Sequence, residues 1–196
     1  NDEEEYARII NKAIDNAWEA IRVYPKSVVP EETLAMIYRD TSQFNKDSEL
    51  LAIEAFREAI ILEPSNPVLY LELGKMFYVR GAYTEAIKEL DKARQLKNNY
   101  YNAELYLAKA QISSGLFESA LEILERWIEE RPGAELYYEQ GRAYVGLKQW
   151  TTAEEKLRQA VTIEPLYSNA LYLLAIALET TNSPDEALFY FKKVEQ

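Results

Sequence analysis

The side chains that most often perform catalysis or bind metals are scarce in this sequence, which has no His and no Cys. Their absence removes disulfides, thiolate chemistry, most zinc and haem sites, and every catalytic arrangement with a His base. Two adjacent carboxylate pairs remain, Glu129-Glu130 and Glu154-Glu155. Neighbouring residues on a helix point apart, so we expect both pairs to be solvated faces rather than acid–base couples. The sequence therefore predicts a protein that is not an enzyme, with no metal site and no cofactor.

A glycine inside an apparent helix is a second candidate for chemistry. Gly74 lies in the segment LGKMFYVRGAY, residues 73–83, whose apolar residues recur at helical spacing. A glycine there costs about 1 kcal/mol relative to alanine, which requires compensation. A phosphate-binding glycine would lie in a loop at the N-terminus of a helix instead. We therefore interpret Gly74 as a residue that lets two helices pack closely.

Composition and charge limit the classes of partner. The chain has 196 residues, of which 48% are hydrophobic, and its net charge is −11. This charge argues against a nucleic-acid partner, because phosphate contacts need clustered Lys and Arg. There is no run of about 20 apolar residues, so we expect no membrane insertion by this chain. The acidic start without an initiator Met suggests a piece excised from a larger protein, and the compartment is left open.

Internal repetition identifies the elements that position these residues. One column of small residues recurs at intervals of 34, 33 and 34 residues, at Gly74, Ala108, Gly141 and Ala175. A column of alanines has the same period, at Ala52, Ala86, Ala120, Ala153 and Ala187. A large apolar residue lies four positions after each of these alanines. The pattern predicts an all-α α-solenoid of helix pairs that cross where the small residues lie.

The copy at residues 67–100 resembles the tetratricopeptide repeat (TPR) most fully, with Tyr70, Leu73, Gly74, Phe77, Gly81, Tyr83, Ala86, Leu90 and Ala93. In it we expect Gly81 to end the first helix in the left-handed conformation and Thr84 to cap the second. The resemblance implies a right-handed superhelix of antiparallel helix pairs that forms a single domain over residues 1–196. Its parts would be an N-terminal helix and linker at 1–30 and five repeats at 31–66, 67–100, 101–133, 134–167 and 168–196.

Two copies depart from this pattern. The repeat at 31–66 fits only if the turn TSQFNKDSE holds about two extra residues. In the repeat at 101–133, Trp127 stands where other copies have alanine, and Glu104 replaces an aromatic residue or leucine. We expect this copy to be the loosest, because a bulky ring at a small-residue position should shift the next helix pair.

The TPR resemblance implies a non-catalytic scaffold for protein–protein interaction, with a concave groove that binds a peptide or partner segment. By analogy with the family, the groove residues are Arg39, Lys75, Tyr78, Asn102, Lys109, Tyr138, Arg142, Asn169 and Tyr172. Four of them form a column of cations, which favours an acidic peptide. The alternative is simple surface pairing, because Glu72 lies three residues before Lys75 and Glu139 three before Arg142. The arrangement that TPR cochaperones use to hold a terminal carboxylate is not present.

Other functions are left open by the sequence. The helix from Ala187 to Val194 has no polar helix after it, which predicts missing sequence, a covering partner or self-association through that end. A helical-repeat protein that reads RNA is a further alternative, which the acidic charge disfavours. The chain also has a weaker resemblance to the TPR tails of bacterial membrane proteins of the surface-polysaccharide ligase and polymerase families. By that resemblance it would be an assembly-platform tail of a larger bacterial envelope protein.

Overall fold

The structure, a computed structural model, describes residues 2–42 and 46–194, with side chains described in 4–42 and 47–194. Over these residues the chain forms eleven α-helices and no strand. They are α1 (Asp2–Val23), α2 (Val28–Thr41), α3 (Lys46–Leu62), α4 (Pro67–Val79), α5 (Tyr83–Leu96), α6 (Tyr101–Ser114), α7 (Phe117–Glu130), α8 (Ala134–Gly146), α9 (Trp150–Ile163), α10 (Ser168–Thr180) and α11 (Pro184–Val194). The all-α prediction is confirmed. Two helices lie in each predicted repeat range, except that α2 begins at Val28, within the range 1–30 predicted as N-terminal helix and linker. The turn TSQFNKDSE, predicted to hold about two extra residues, includes residues 43–45, which lie outside the described residues.

The chain divides into two compact units, Asn1–Ala103 and Glu104–Gln196. In the first unit α1 packs on α2, α2 on α3, α3 on α4, and α4 on α5. In the second unit α7 packs on α8, α8 on α9, α9 on α10, and α10 on α11. Such neighbour-to-neighbour packing is typical of repeat folds, in which each helix pair buries its apolar face against the next pair. That the whole chain forms a single domain stays a prediction.

The glycines in the first helices of two repeats allow close helix packing. A Cβ atom on Gly74 would lie 2.5 Å from Cγ of Leu90, and one on Gly141 would lie 2.6 Å from Cγ of Leu157. Both leucines are fully buried. Burying a leucine is worth about 1.5–3 kcal/mol, which exceeds the cost of about 1 kcal/mol for a glycine in a helix. The packing interpretation of Gly74 is therefore confirmed.

In the last four helix pairs, the turn between the two helices contains a residue with positive φ. Gly81 has a φ of 81°, as predicted, and Gly115 has a φ of 86°. The same place in the next two repeats holds Lys148 and Asn182, with φ of 59° and 65°. At each of these four turns the backbone N–H of the following residue donates to a carbonyl of the first helix, which closes its C-terminus.

The predicted N-cap of α5 is wrong by two residues. The helix begins at Tyr83, and its N-cap is Ala82, whose side chain makes no capping hydrogen bond. The Ala82 carbonyl accepts the first helical hydrogen bond from the Ala86 N–H at 2.9 Å. The close turn after Gly81 therefore starts α5 before Thr84.

Candidate functional site

Two of the predicted cations in the first unit meet at one carboxylate. Arg39, on α2, donates from Nη1 to Oε2 of Glu72 at 2.6 Å, and Lys75, on α4, donates from Nζ to Oε1 at 2.7 Å. Arg39 also donates from Nε to Oδ1 of Asp40 at 2.8 Å, and this bond raises the pKa of Arg39 despite its partial burial. The pairing expected for Lys75 and Glu72 from their spacing is confirmed, so both cations are held by carboxylates of the chain itself.

In the second unit, Lys109 is bonded to a carboxylate of the next repeat. Its Nζ donates to Oε1 of Glu135 at 2.5 Å and lies 4.9 Å from the centre of the Tyr106 ring. Burial lowers the pKa of Lys109, but the hydrogen bond and charge of Glu135 outweigh it, so the pKa is raised overall. Lys109 therefore stays protonated and joins α6 to α8.

Arg142 is the second cation of this unit and contacts two helices. Its Nη1 donates to Oε2 of Glu139 at 2.7 Å, and its Nη2 donates to Oγ of Ser113 at 3.3 Å. The spacing-based pairing of Glu139 with Arg142 is thus also confirmed. Glu139 is buried, and burial raises the pKa of its carboxyl although Arg142 and Lys109 act in the opposite direction. This buried side chain therefore helps to hold the Arg142 guanidinium in position.

A cavity of about 420 Å³ in the second unit brings together four of the predicted groove residues: Tyr138, Arg142, Asn169 and Tyr172. Apolar walls complete it, and they come from Ile112, Phe117, Val145 and Leu173. The residues belong to α6, α7, α8 and α10. The cavity thus combines an apolar interior with an amide, a guanidinium and two phenol rings.

The aromatic rings of this cavity are held by neighbouring rings. The Tyr138 ring centre lies 5.0 Å from that of Tyr167, and the Arg142 guanidinium carbon lies 6.0 Å from the Tyr138 ring centre. The Tyr172 ring lies 5.9 Å from Phe191 in an edge-to-face arrangement, and Tyr172 is 53% exposed. Tyr172 therefore offers a fixed apolar surface to solvent at the edge of the cavity.

The other predicted residues lie elsewhere. Tyr78, on α4, has its ring centre 5.9 Å from that of Tyr83, and Asn102 is exposed in the first turn of α6. The apolar wall was missed from sequence, although one signal was present at Gly146. A Cβ atom there would collide with the ring of Phe117, so the glycine makes room for an aromatic residue of the wall.

The carboxylate pairs behave differently from one another. Glu129 and Glu130 are exposed, as expected. The prediction of a solvated face is wrong for Glu154, which accepts from Nε of Arg158 at 2.9 Å and from the Thr181 hydroxyl at 2.9 Å. Across the described residues no group of three or more carboxylates could hold a metal ion, and no helix is long and apolar enough to cross a lipid bilayer.

Comparison with protein families gives matches over most of the chain. One tetratricopeptide repeat model matches residues 51–101 and 138–196, and a second matches residues 77–143. The TPR repeat-containing protein MJ1428 of Methanocaldococcus jannaschii is 26% identical over 205 aligned positions, and the TPR repeat-containing protein YpiA of Bacillus subtilis is 25% identical over 189. The alignments cover 89% and 95% of this chain but 36% and 42% of those proteins. The chain therefore spans less than half the length of these relatives.

Solved structures with the same fold include MamA, residues 41 to the end, from Desulfovibrio magneticus RS-1. It has a TM-score of 0.70 and 25% identity, over 83% of this chain and 93% of that one. A second is the crystal structure of YrrB, described as a TPR protein with an unusual peptide-binding site. It has a TM-score of 0.69 and 18% identity, over 93% of this chain and 92% of that one. The helix-pair fold found here is thus shared with known TPR proteins.

Proposed function

Because the chain belongs to the tetratricopeptide repeat family, we propose that it is a non-catalytic scaffold for protein–protein interaction. Its second unit binds an extended peptide segment in the cavity formed by Tyr138, Arg142, Asn169 and Tyr172. The observation that carries this proposal is the convergence of these four side chains, from two successive repeats, on one apolar cavity. A solved protein of the same fold, YrrB, is described as having a peptide-binding site, which supports the same role.

The chemistry of the cavity indicates the kind of peptide. Its apolar walls and the exposed Tyr172 ring favour an apolar side chain as the anchor, since burying apolar surface is the main favourable term in association. The exposed amide of Asn169 can donate to and accept from a peptide backbone. Arg142 places a positive charge at the same cavity, so a carboxylate next to the anchor is favoured.

The apolar anchor contributes more to affinity than the acidic residue. Glu139 already shares the guanidinium of Arg142 at 2.7 Å, and the remaining cations of the column are paired with Glu72 and Glu135. A peptide carboxylate therefore adds to a pair that is largely neutralised. We expect neutralising that carboxylate to weaken binding by about five-fold or less, the effect typical of an exposed ion pair.

A peptide library displayed on phage provides the test. Peptides selected on the intact chain are measured by fluorescence anisotropy against the wild type, Tyr172→Ala and Tyr24→Ala. Tyr24 is a matched control, because its ring is 63% exposed and lies outside the cavity. We expect Tyr172→Ala to weaken binding about tenfold or more, as for an aromatic hot spot, and Tyr24→Ala to leave it unchanged. Equal binding by all three proteins, or no enriched peptide, would overturn the proposal.

Self-association is the second candidate function, and an observation on α11 favours it. Leu188 is 52% exposed and Phe189 is 60% exposed on this helix. Large exposed apolar side chains on a helix are a common feature of interfaces. On this alternative the chain is a structural module whose copies join through α11.

A further inference from the structure

A separate cavity in the first unit has the opposite electrostatic character from the peptide cavity. It has a volume of about 560 Å³ and lies between α1, α2 and α3. Two aromatic residues, Trp18 and Tyr38, and three carboxylates, Glu31, Glu54 and Glu58, contribute to its lining. It shares no residue with the cavity of the second unit.

The apolar residues of this cavity are of two kinds, buried and exposed. Leu34 and Ala55 are buried beneath it, whereas Leu51 and Trp18 are substantially exposed. Trp18 is 47% exposed, although α1 packs on α2 and buries other residues of the helix. The indole therefore presents apolar and π-rich surface towards solvent at the side of the cavity.

The three carboxylates of this cavity form no direct ion pair, unlike Glu72, Glu135 and Glu139. Among the described residues, Glu31, Glu54 and Glu58 have no Lys or Arg nitrogen within 4.0 Å. Arg57 also lines the cavity, and its guanidinium carbon lies 5.9 Å from the ring centre of Phe77, on α4. Burial and then the negative charge of Glu58 raise the pKa of Glu31. The lining thus has three carboxylates against one cation, Arg57, which gives the cavity a net negative charge.

The residues that line this cavity favour an organic cation over a metal ion. No group of carboxylates in the described part of the chain is arranged to hold a metal ion. The carboxylates instead contribute, with the rings of Trp18 and Tyr38, to the lining of a cavity of about 560 Å³, which is large enough for an organic side chain. A planar cation can stack on an aromatic face and at the same time donate to carboxylates, and arginine is the side chain that does both.

We propose that this cavity binds an arginine side chain of a basic protein partner, with the guanidinium between Trp18 and the carboxylates of Glu31, Glu54 and Glu58. The aliphatic stem of the arginine packs on Leu51, and its planar head stacks on the indole. The net charge of −11 favours approach of a basic segment over long range. This interaction surface does not depend on the peptide cavity of the second unit, so either can fail without the other.

The indole N–H of Trp18 is a direct reporter of this binding. The probe is acetyl-arginine amide, and its neutral analogue acetyl-citrulline amide is the control for shape. In a ¹H–¹⁵N correlation spectrum of the intact chain, we expect arginine to shift the Trp18 indole signal in a saturable way and citrulline to leave it unchanged. The indole of Trp127, which donates to Glu104 at 2.7 Å in the second unit, is the internal control.

Charge-neutralising variants complete the test. We expect the triple substitution Glu31→Gln, Glu54→Gln and Glu58→Gln to weaken arginine binding by about fivefold or more. The matched control changes the net charge equally with exposed residues of the second unit: Glu118→Gln, Glu122→Gln and Glu129→Gln. The Trp127 indole signal also reports whether the triple variant folds. If that signal moves from its wild-type position, Glu58→Gln alone replaces the triple variant, and we expect it to bind arginine more weakly than the wild type. The proposal would be overturned by a static Trp18 signal, by equal shifts with citrulline, or by wild-type affinity in the variant that lacks the carboxylates of Glu31, Glu54 and Glu58.

Discussion

At Glu139, burial and ion pairing act against each other on one carboxylate. Burial raises its pKa from the ordinary value of 4.5, while Arg142 and Lys109 act to lower it and Glu135 to raise it. The net direction is upward, so between 4.5 and the raised value the folded chain binds more protons at this site than the unfolded chain. The stabilising contribution is therefore complete below pH 4.5 and is lost as pH rises through the folded-state pKa.

This balance predicts a pH-dependent difference between the wild type and Glu139→Gln. The free energy of unfolding of the wild type should fall relative to that of the variant as pH rises from about 4.5 towards neutrality. Urea denaturation of both proteins at a series of pH values measures the difference. Glu129→Gln, at an exposed position, is the control and should follow the wild type. A difference that stays constant with pH would contradict the assignment.

Glu104 and Trp127 depart from the repeat pattern together. The indole Nε1 donates to Oε2 of Glu104 at 2.7 Å, both residues are buried, and Arg126 forms an ion pair with the same carboxylate. On the second helix of this repeat, Trp127 replaces a small residue. On the first helix, Glu104 replaces a large apolar residue and accepts the hydrogen bond of the Trp127 indole. That this repeat is the loosest stays a prediction, but the two departures are complementary.

Their coupling can be measured with a double-mutant cycle. Glu104→Leu leaves the buried indole N–H without its acceptor, so we expect it to destabilise the chain by about 1–3 kcal/mol. Glu104→Leu combined with Trp127→Phe removes both polar partners, so its destabilisation should be smaller than the sum of those of the two single substitutions. Thermal or urea unfolding of the four proteins provides the measurement. Additive effects of the two substitutions would show that the residues act independently.

The 34-residue repeat predicts the helices and their packing better than it predicts the side chains of the binding site. The pairs, their turns and the glycine crossings follow from spacing because they depend on residues that recur every repeat. Lys148 shows the limit: it takes the left-handed conformation that Gly81 takes, which its residue type disfavours. The apolar wall of the peptide cavity also escapes the pattern, because Ile112 and Leu173 come from different repeats and meet only after folding.

Helix α11 is joined to α9 by an ion pair and exposes two large apolar side chains. Arg158 donates from Nη1 and Nη2 to the two carboxylate oxygens of Glu186 at 2.6 and 2.7 Å, which joins α9 to α11. The hydrogen bonds from Arg158 lower the pKa of Glu186. On the same helix, the side chains of Leu188 and Phe189 are exposed.

The exposed pair predicts self-association that strengthens with salt. Copies with a net charge of −11 repel each other at low ionic strength, and added salt screens this repulsion while leaving apolar contacts in place. Sedimentation velocity at increasing protein concentration should show larger species at about 0.5 M than at about 0.05 M NaCl. Leu188→Ser with Phe189→Ser should remain monomeric in both. A monomeric wild type at every concentration would remove the self-association alternative.

At the scale of the whole molecule, the TPR units present two surfaces of different charge and chemistry. The predicted column of cations is paired with carboxylates in both units, so each of these cations already has a partner within the chain. The second unit instead has an apolar cavity with Arg142 at its side, and the first has an acidic cavity with Trp18. We therefore propose that the apolar anchor, rather than the cations, is the main determinant of peptide binding.

The most direct measurement of this claim is a map of amide chemical-shift changes when a library-selected peptide is added to the ¹⁵N-labelled chain. We expect the largest changes on α8 and α10, around Tyr138, Asn169 and Tyr172, and we expect Tyr172→Ala to abolish them at the same peptide concentration. Changes that concentrate outside these helices, or that persist in Tyr172→Ala, would contradict the assignment of the peptide site.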